Sequence, residues 1–235
     1  MLTIIIVCAV VVLLFKGSPY IFATFEKEHL RNDLEPKEYN AAAWGSECLD
    51  SRVKLADELG LVFAGTYFTA KDASIVKGYS LFYVDLRSNL IVNFVSARFA
   101  KAELERTSVA SMFADGSALT TSDHFCIPDC TGGIERVVRY KASLDDLIRI
   151  HKEKLADYSK TAVVVSTSSA FTIFEQVDYM RGERMVQAGL AKWTDVPQTK
   201  IRRTFRGVLA AVKVSERAKR QIIEDEVARR RANSD

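Results

Sequence analysis

The sequence predicts an α+β fold, an antiparallel β-meander packed against helices and preceded by an N-terminal transmembrane helix. Three observations predict it: an apolar run opens the chain, five short runs rich in β-branched and aromatic residues follow one another with only turn residues between them, and segments of helical periodicity flank them. With 235 residues, 48% of them hydrophobic, the chain is long enough to bury a core without staples. Its 11 Gly and 4 Pro exclude a collagen-like chain, and 4 Cys are too few for a disulfide scaffold.

The opening run, residues 2–15 (LTIIIVCAVVVLLF), has Thr3 as its only polar member. As a helix it spans roughly 21 Å at 1.5 Å per residue. Lys16 can snorkel, and Tyr20, Ile21, Phe22 and Phe25 suit the interface, so residues 1–23 reach across a hydrocarbon core of about 30 Å. No Lys or Arg precedes the run and no small-x-small cleavage site follows it, which favours an uncleaved anchor over a cleaved signal peptide. Lys16, Lys27 and Arg31 lie on its C-terminal flank, and by the positive-inside rule they put the globular part in the cytoplasm. The expected partner is the lipid bilayer and the expected location is the membrane, crossed once.

Residues 24–46 read as a juxtamembrane connector and residues 47–191 as the globular domain. Ser46 is a suitable N-cap, Leu49, Val53, Ala56 and Leu59 recur at helical spacing, and Gly60 suits a left-handed stop, which predicts a helix over 47–59. The period then changes to that of strands at 61–68, 80–86, 90–99, 107–114 and 117–123. Residues 87–89 make a short link, and Asp115-Gly116 is a pair suited to a tight hairpin turn. The run at 90–99 is apolar on both faces at its start and amphipathic towards its end. Successive hairpins imply antiparallel pairing, with residues 136–140 as a last strand, 161–165 as a further short one, and one face of the sheet under the helices.

Two helices follow. Ser143 with Asp146 approximates a capping box, and Leu144, Leu147, Ile148, His151, Leu155 and Tyr158 share a face. The second starts at Ser168 or Ser169 and runs to about Leu190, with Phe171, Phe174, Val177, Met180 and Met185 on one side and Gly182 inside it.

Residues 192–235 form a basic tail with twelve basic and six acidic residues, a net +6, whereas the preceding residues carry −3. Over residues 201–214 the sequence predicts a helix with Ile201, Phe205, Val208, Leu209 and Val212 on one stripe and Arg202, Arg203, Arg206 and Lys213 around it, a pattern suited to an anionic bilayer. Packing of that stripe on the protein's own sheet is the plain alternative. The expected membrane-surface residues are therefore Lys16, Arg202, Arg203, Arg206 and Lys213. Nucleic acid is a poorer match, because the domain itself is net negative and lacks an aromatic-rich basic platform.

The one cluster with chemical promise is His124, Cys126, Asp129 and Cys130. A single C-x3-C without a second pair is a weak zinc signal, so no metal and no cofactor is expected, with His124, Cys126 and Cys130 as the candidates if one binds. His151, on a core-directed face, suits a structural role better than that of a general base. Phosphate-loop, dinucleotide, zincin and nucleophile-elbow motifs are absent. The sequence thus points away from an enzyme and towards a membrane-anchored protein with a cytosolic binding or interaction module. Two alternatives stay open: a hydrolase or metal-dependent enzyme using the His124/Cys126/Cys130 loop, and an exported domain with a local disulfide.

Overall fold

A computed structural model describes residues 27–29, 35–36, 47–69, 76–99, 102–124, 129–198 and 200–232. The anchor expected at 1–23, with Lys16, lies outside the described residues, as does Cys126. Among the described residues no helix is long and apolar enough to cross a membrane.

In chain order the elements are β1 (Lys27–His29), β2 (Glu35–Pro36), α1 (Glu47–Glu58), β3 (Val62–Thr69), β4 (Val76–Asp85), β5 (Leu90–Phe99), β6 (Ala102–Met112), β7 (Ala118–Ser122), β8 (Ile134–Val138), α2 (Leu144–Ala156), α3 (Ala170–Gln187), β9 (Ala191–Trp193), β10 (Lys200–Arg203) and α4 (Phe205–Ala232). The fold is α+β. Strands β3 to β8 form a mostly antiparallel sheet in sequence order, the two-residue β2 lengthens its β3 edge, and β1, β10 and β9 form a second, smaller sheet.

Local chemistry explains the turns. Gly60 takes φ +68° after α1, and its N–H bonds the Asp57 carbonyl. Asp85 Oδ1 accepts the N–H groups of Arg87 and Ser88 and so holds the β4–β5 link. Gly116, at φ +74°, closes the turn between β6 and β7. Ser143 accepts the Asp146 N–H and starts α2.

Both faces of the large sheet are covered, where the sequence had implied only one. Leu81, Tyr83, Leu90, Val92, Phe94 and Val109 pack under α1 and α2 with Leu49, Leu144 and Leu147. Phe82, Val84, Ile91, Ala110 and Met112 pack under α3 with Ala170 and Val177. The double apolar start of β5 is the sequence counterpart, since Leu90, Ile91, Val92 and Phe94 are all buried.

The meander also departs from expectation at its end. β8 runs parallel to β7, with Ala118 beside Ile134 and Ser122 beside Val138, so the two strands start at the same end of the sheet. Residues 161–165 are not a strand: Ala162 makes a single bridge to Phe113, and Val164 points into solvent.

The small sheet was not foreseen. Ile201, expected on a helix, is a fully buried residue of β10 and packs with Met185, Leu190 and Ala191. Helix α4 begins only at Phe205, because Thr204 bonds back to the Leu190 carbonyl through its N–H (2.9 Å) and accepts the Gly207 N–H on its hydroxyl (3.1 Å).

Candidate functional site

Helix α4 has two unlike sides. Towards the domain it turns Gly207, Val208 and Ala211, followed by the half-buried Ser215, Ala218 and Ile222. Away from it stand Phe205, Leu209, Ile223 and Val227, which are 69%, 52%, 63% and 42% exposed. Phe205 and Ile223 are five turns apart at 3.6 residues per turn, as are Leu209 and Val227, so the four form one outward apolar stripe along the helix. Exposed Arg206, Lys213, Arg217 and Arg220 flank it, with Glu216 and Glu224 as acids on the same side.

The expected stripe of Ile201, Phe205, Val208, Leu209 and Val212 is therefore divided. Ile201 belongs to β10, Val208 is buried against the domain, and Phe205 and Leu209 face outwards. The division follows from Gly207, whose missing side chain lets α4 press against the backbone at Leu190. A Cβ at Gly207 would stand 1.8 Å from the Leu190 carbonyl oxygen. Once that contact sets the helix rotation, Phe205, Leu209, Ile223 and Val227 on its outer side are left exposed.

The base of α4 is joined through β10 to β1, the first described strand of the chain. β1 pairs antiparallel with β10 in the register Lys27 opposite Arg202, Glu28 opposite Ile201 and His29 opposite Lys200. The chain that follows the apolar run is thereby tied to the strand that leads into α4, with Arg202 and Arg203 on that strand and Arg206 and Lys213 in the first three turns of the helix. Arg202 and Arg203 are half-buried on β10, and Arg206 and Lys213 are exposed on α4.

In the described part of the loop after β7, Asp129 organises the backbone. Asp129 accepts the N–H groups of Thr131, Gly133 and Ile134 at 2.9 to 3.0 Å and the Thr131 hydroxyl at 2.8 Å, which occupies its carboxylate. Cys130 is a half-buried free thiol whose pKa is pushed up by burial and by Asp129, the reverse of what a nucleophile needs. His124 bonds Asp123 at 3.2 Å, and Asp123 is already committed to the Thr107 N–H at 2.8 Å and to Arg52 at 3.8 Å. Among the described residues no three His, Cys, Asp or Glu side chains converge as a metal site.

His151 is wholly buried between β6 and β7. Its Nε2 meets the Ser111 hydroxyl and its Nδ1 the Thr121 hydroxyl, both at 3.0 Å, and burial lowers its pKa to about 4. A neutral ring with both nitrogens bonded to hydroxyls of the sheet ties α2 to β6 and β7.

Three concave features are lined by the described residues. Two broad clefts of about 710 and 780 Å³ run between α2 and the later turns of α4 and are lined by mixed charges. The third, about 60 Å³, lies between the sheet and α3, with Arg106 and Arg136 in its wall. Sequence reasoning passed over both arginines, since Arg106 stands just before the apolar part of β6 and Arg136 reads as one polar residue of a weak strand. Their shared face, alternating with Ser108 on β6 and Ile134 on β8, was the available signal. No protein-family model, curated protein or solved structure matches this chain, so its function is read from these features alone.

Proposed function

We propose that this chain is a single-pass membrane protein whose cytosolic α+β domain is a binding module, held against the anionic leaflet by the outer side of α4. The observation that carries this reading is the outward stripe of Phe205, Leu209, Ile223 and Val227 bordered by Arg206, Lys213, Arg217 and Arg220. Four large apolar side chains in line on a soluble surface are left in water only at a cost, and burying them in the headgroup region recovers it. The bases beside them add on the order of 1 kcal/mol each near an anionic surface.

The β1–β10 ladder supports the same reading. An apolar segment that ends a few residues before Lys27 enters the bilayer beside the start of α4, so the helix is delivered to the surface and needs no search for it. Lys16 stands at the end of that apolar run and adds a further positive charge at the same leaflet.

Alkaline carbonate extraction of membranes carrying the full-length chain tests the anchor. Retention in the pellet is the expected result, and release into the supernatant overturns it. Protease treatment of intact cells tests orientation: the domain should be cut only after lysis. Co-purification of nucleic acid with the intact chain, removed by charge loss on α4, would reassign the basic helix to a different partner.

A further inference from the structure

The outward stripe of α4 is interrupted at its middle by one acid. Glu216 comes eleven residues after Phe205 and seven after Leu209, and Ile223 and Val227 follow it by seven and eleven. At about 100° per residue these intervals leave Glu216 about 20° round the helix from all four, on their centre line. It is exposed, as they are. The two apolar pairs therefore cannot lie on one surface together without bringing the carboxylate to it.

The charged groups round Glu216 belong to its own helix. Arg220, Lys213 and Arg206 lie about 40°, 60° and 80° from it on one flank, with Glu224 and Arg217 at about 80° and 100° on the same side. Lys219 and Glu226 lie about 60° and 80° from it on the other flank. On an anionic leaflet the bases turn to lipid phosphates, and the same phosphates repel the Glu216 carboxylate. A carboxylate carried to the depth of Phe205 and Ile223 also loses its water. Both effects favour the uncharged acid in the docked state.

We infer that docking of α4 on the bilayer is coupled to the uptake of one proton by Glu216, so that this face holds the membrane more tightly as pH falls. The inference rests on the membrane reading of α4 and adds its regulation. The proton comes from bulk water and sits on a carboxylate oxygen of Glu216. Linkage fixes the sign: the docked state binds one proton more than the free state, so lowering the pH shifts the population towards it. Glu224 lies off the apolar line among the bases and remains at the level of the headgroups, which makes it the control.

The test uses the full-length chain in phosphatidylglycerol-containing vesicles, with a benzophenone amino acid at position 209 or 223 and lipid adducts measured at pH 7.5 and pH 5.5. About five-fold more adduct is expected at the lower pH. Glu216→Gln should give the higher yield at both pH values, whereas Glu216→Asp and Glu224→Gln should keep the dependence. Adducts that form at 209 and 223 without responding to pH, or that respond equally in Glu216→Gln, overturn the proton switch and leave the membrane contact standing. Adducts absent from both positions at both pH values overturn the membrane contact itself, and the switch with it.

Discussion

Lys27 stands directly opposite Arg202 in the β1–β10 ladder. The pairing joins the segment that follows the apolar N-terminal run to the strand preceding α4, which is where the proposed bilayer contact begins. Neutralising the bases that continue from it onto α4, Arg206→Gln with Lys213→Gln, should weaken the surface contact by about 2 kcal/mol, roughly thirty-fold. Chymotrypsin cleavage after Phe205 and Leu209 in vesicle-reconstituted protein measures it. The double variant should be cut faster in anionic vesicles and at the wild-type rate in neutral ones.

The rotation of α4 depends on Gly207. In Gly207→Ala the new methyl meets the Leu190 carbonyl oxygen at 1.8 Å, and since the obstacle is backbone, the helix must lift. A loss of about 1–3 kcal/mol is expected, typical of overpacking. Urea denaturation checks it, and an unchanged midpoint would mean that α4 does not seat on Leu190.

Stability should depend on pH through His151. Its folded-state pKa, about 4, lies below the ordinary value of 6.5, so the unfolded chain binds the extra proton between these limits. The contribution is complete above pH 6.5 and is lost as pH falls from there towards 4, about 2 kcal/mol of it by pH 5. His151→Leu should be less stable at pH 7.5 by about 1–3 kcal/mol, because the Ser111 and Thr121 hydroxyls lose their partner, and the gap to wild type should narrow at pH 5. A constant gap across that range would contradict a buried, neutral imidazole.

Ser143→Ala should cost about 1 kcal/mol through loss of the Asp146 N–H bond at the start of α2. Thermal unfolding measures it, with Ser168→Ala as a surface comparison.

That cap is also an example of what the sequence displays openly. Ser143, Gly60 and the Asp115-Gly116 turn are local devices whose residue types act on their neighbours in the chain, and β5 was found at its full length because its own apolar pattern defines it. What was missed depends on distant partners. The Ala102–Arg106 part of β6 is polar and is drawn into the sheet by pairing with β5 from Val95 to Phe99. β9 and β10 are three- and four-residue strands, too short to show a period, and exist because Ile201 finds Met185 and Leu190.

The candidate site divides in the same way. Arg202, Arg203, Arg206 and Lys213 were legible as a charge cluster, whereas the outward rotation of Phe205 and Leu209 rests on one contact of Gly207. Arg106 and Arg136 are thirty residues apart in the chain and line one cavity because β6 and β8 both flank β7.

The most direct test of the account is photo-crosslinking of the full-length chain in phosphatidylserine-containing vesicles, with a benzophenone amino acid placed in turn at Leu209, at Ile223 and at the exposed Thr172 of α3. Lipid adducts at positions 209 and 223 but not at 172 are predicted. Adducts absent from 209 and 223, or no more abundant there than at 172, would contradict a membrane-facing α4.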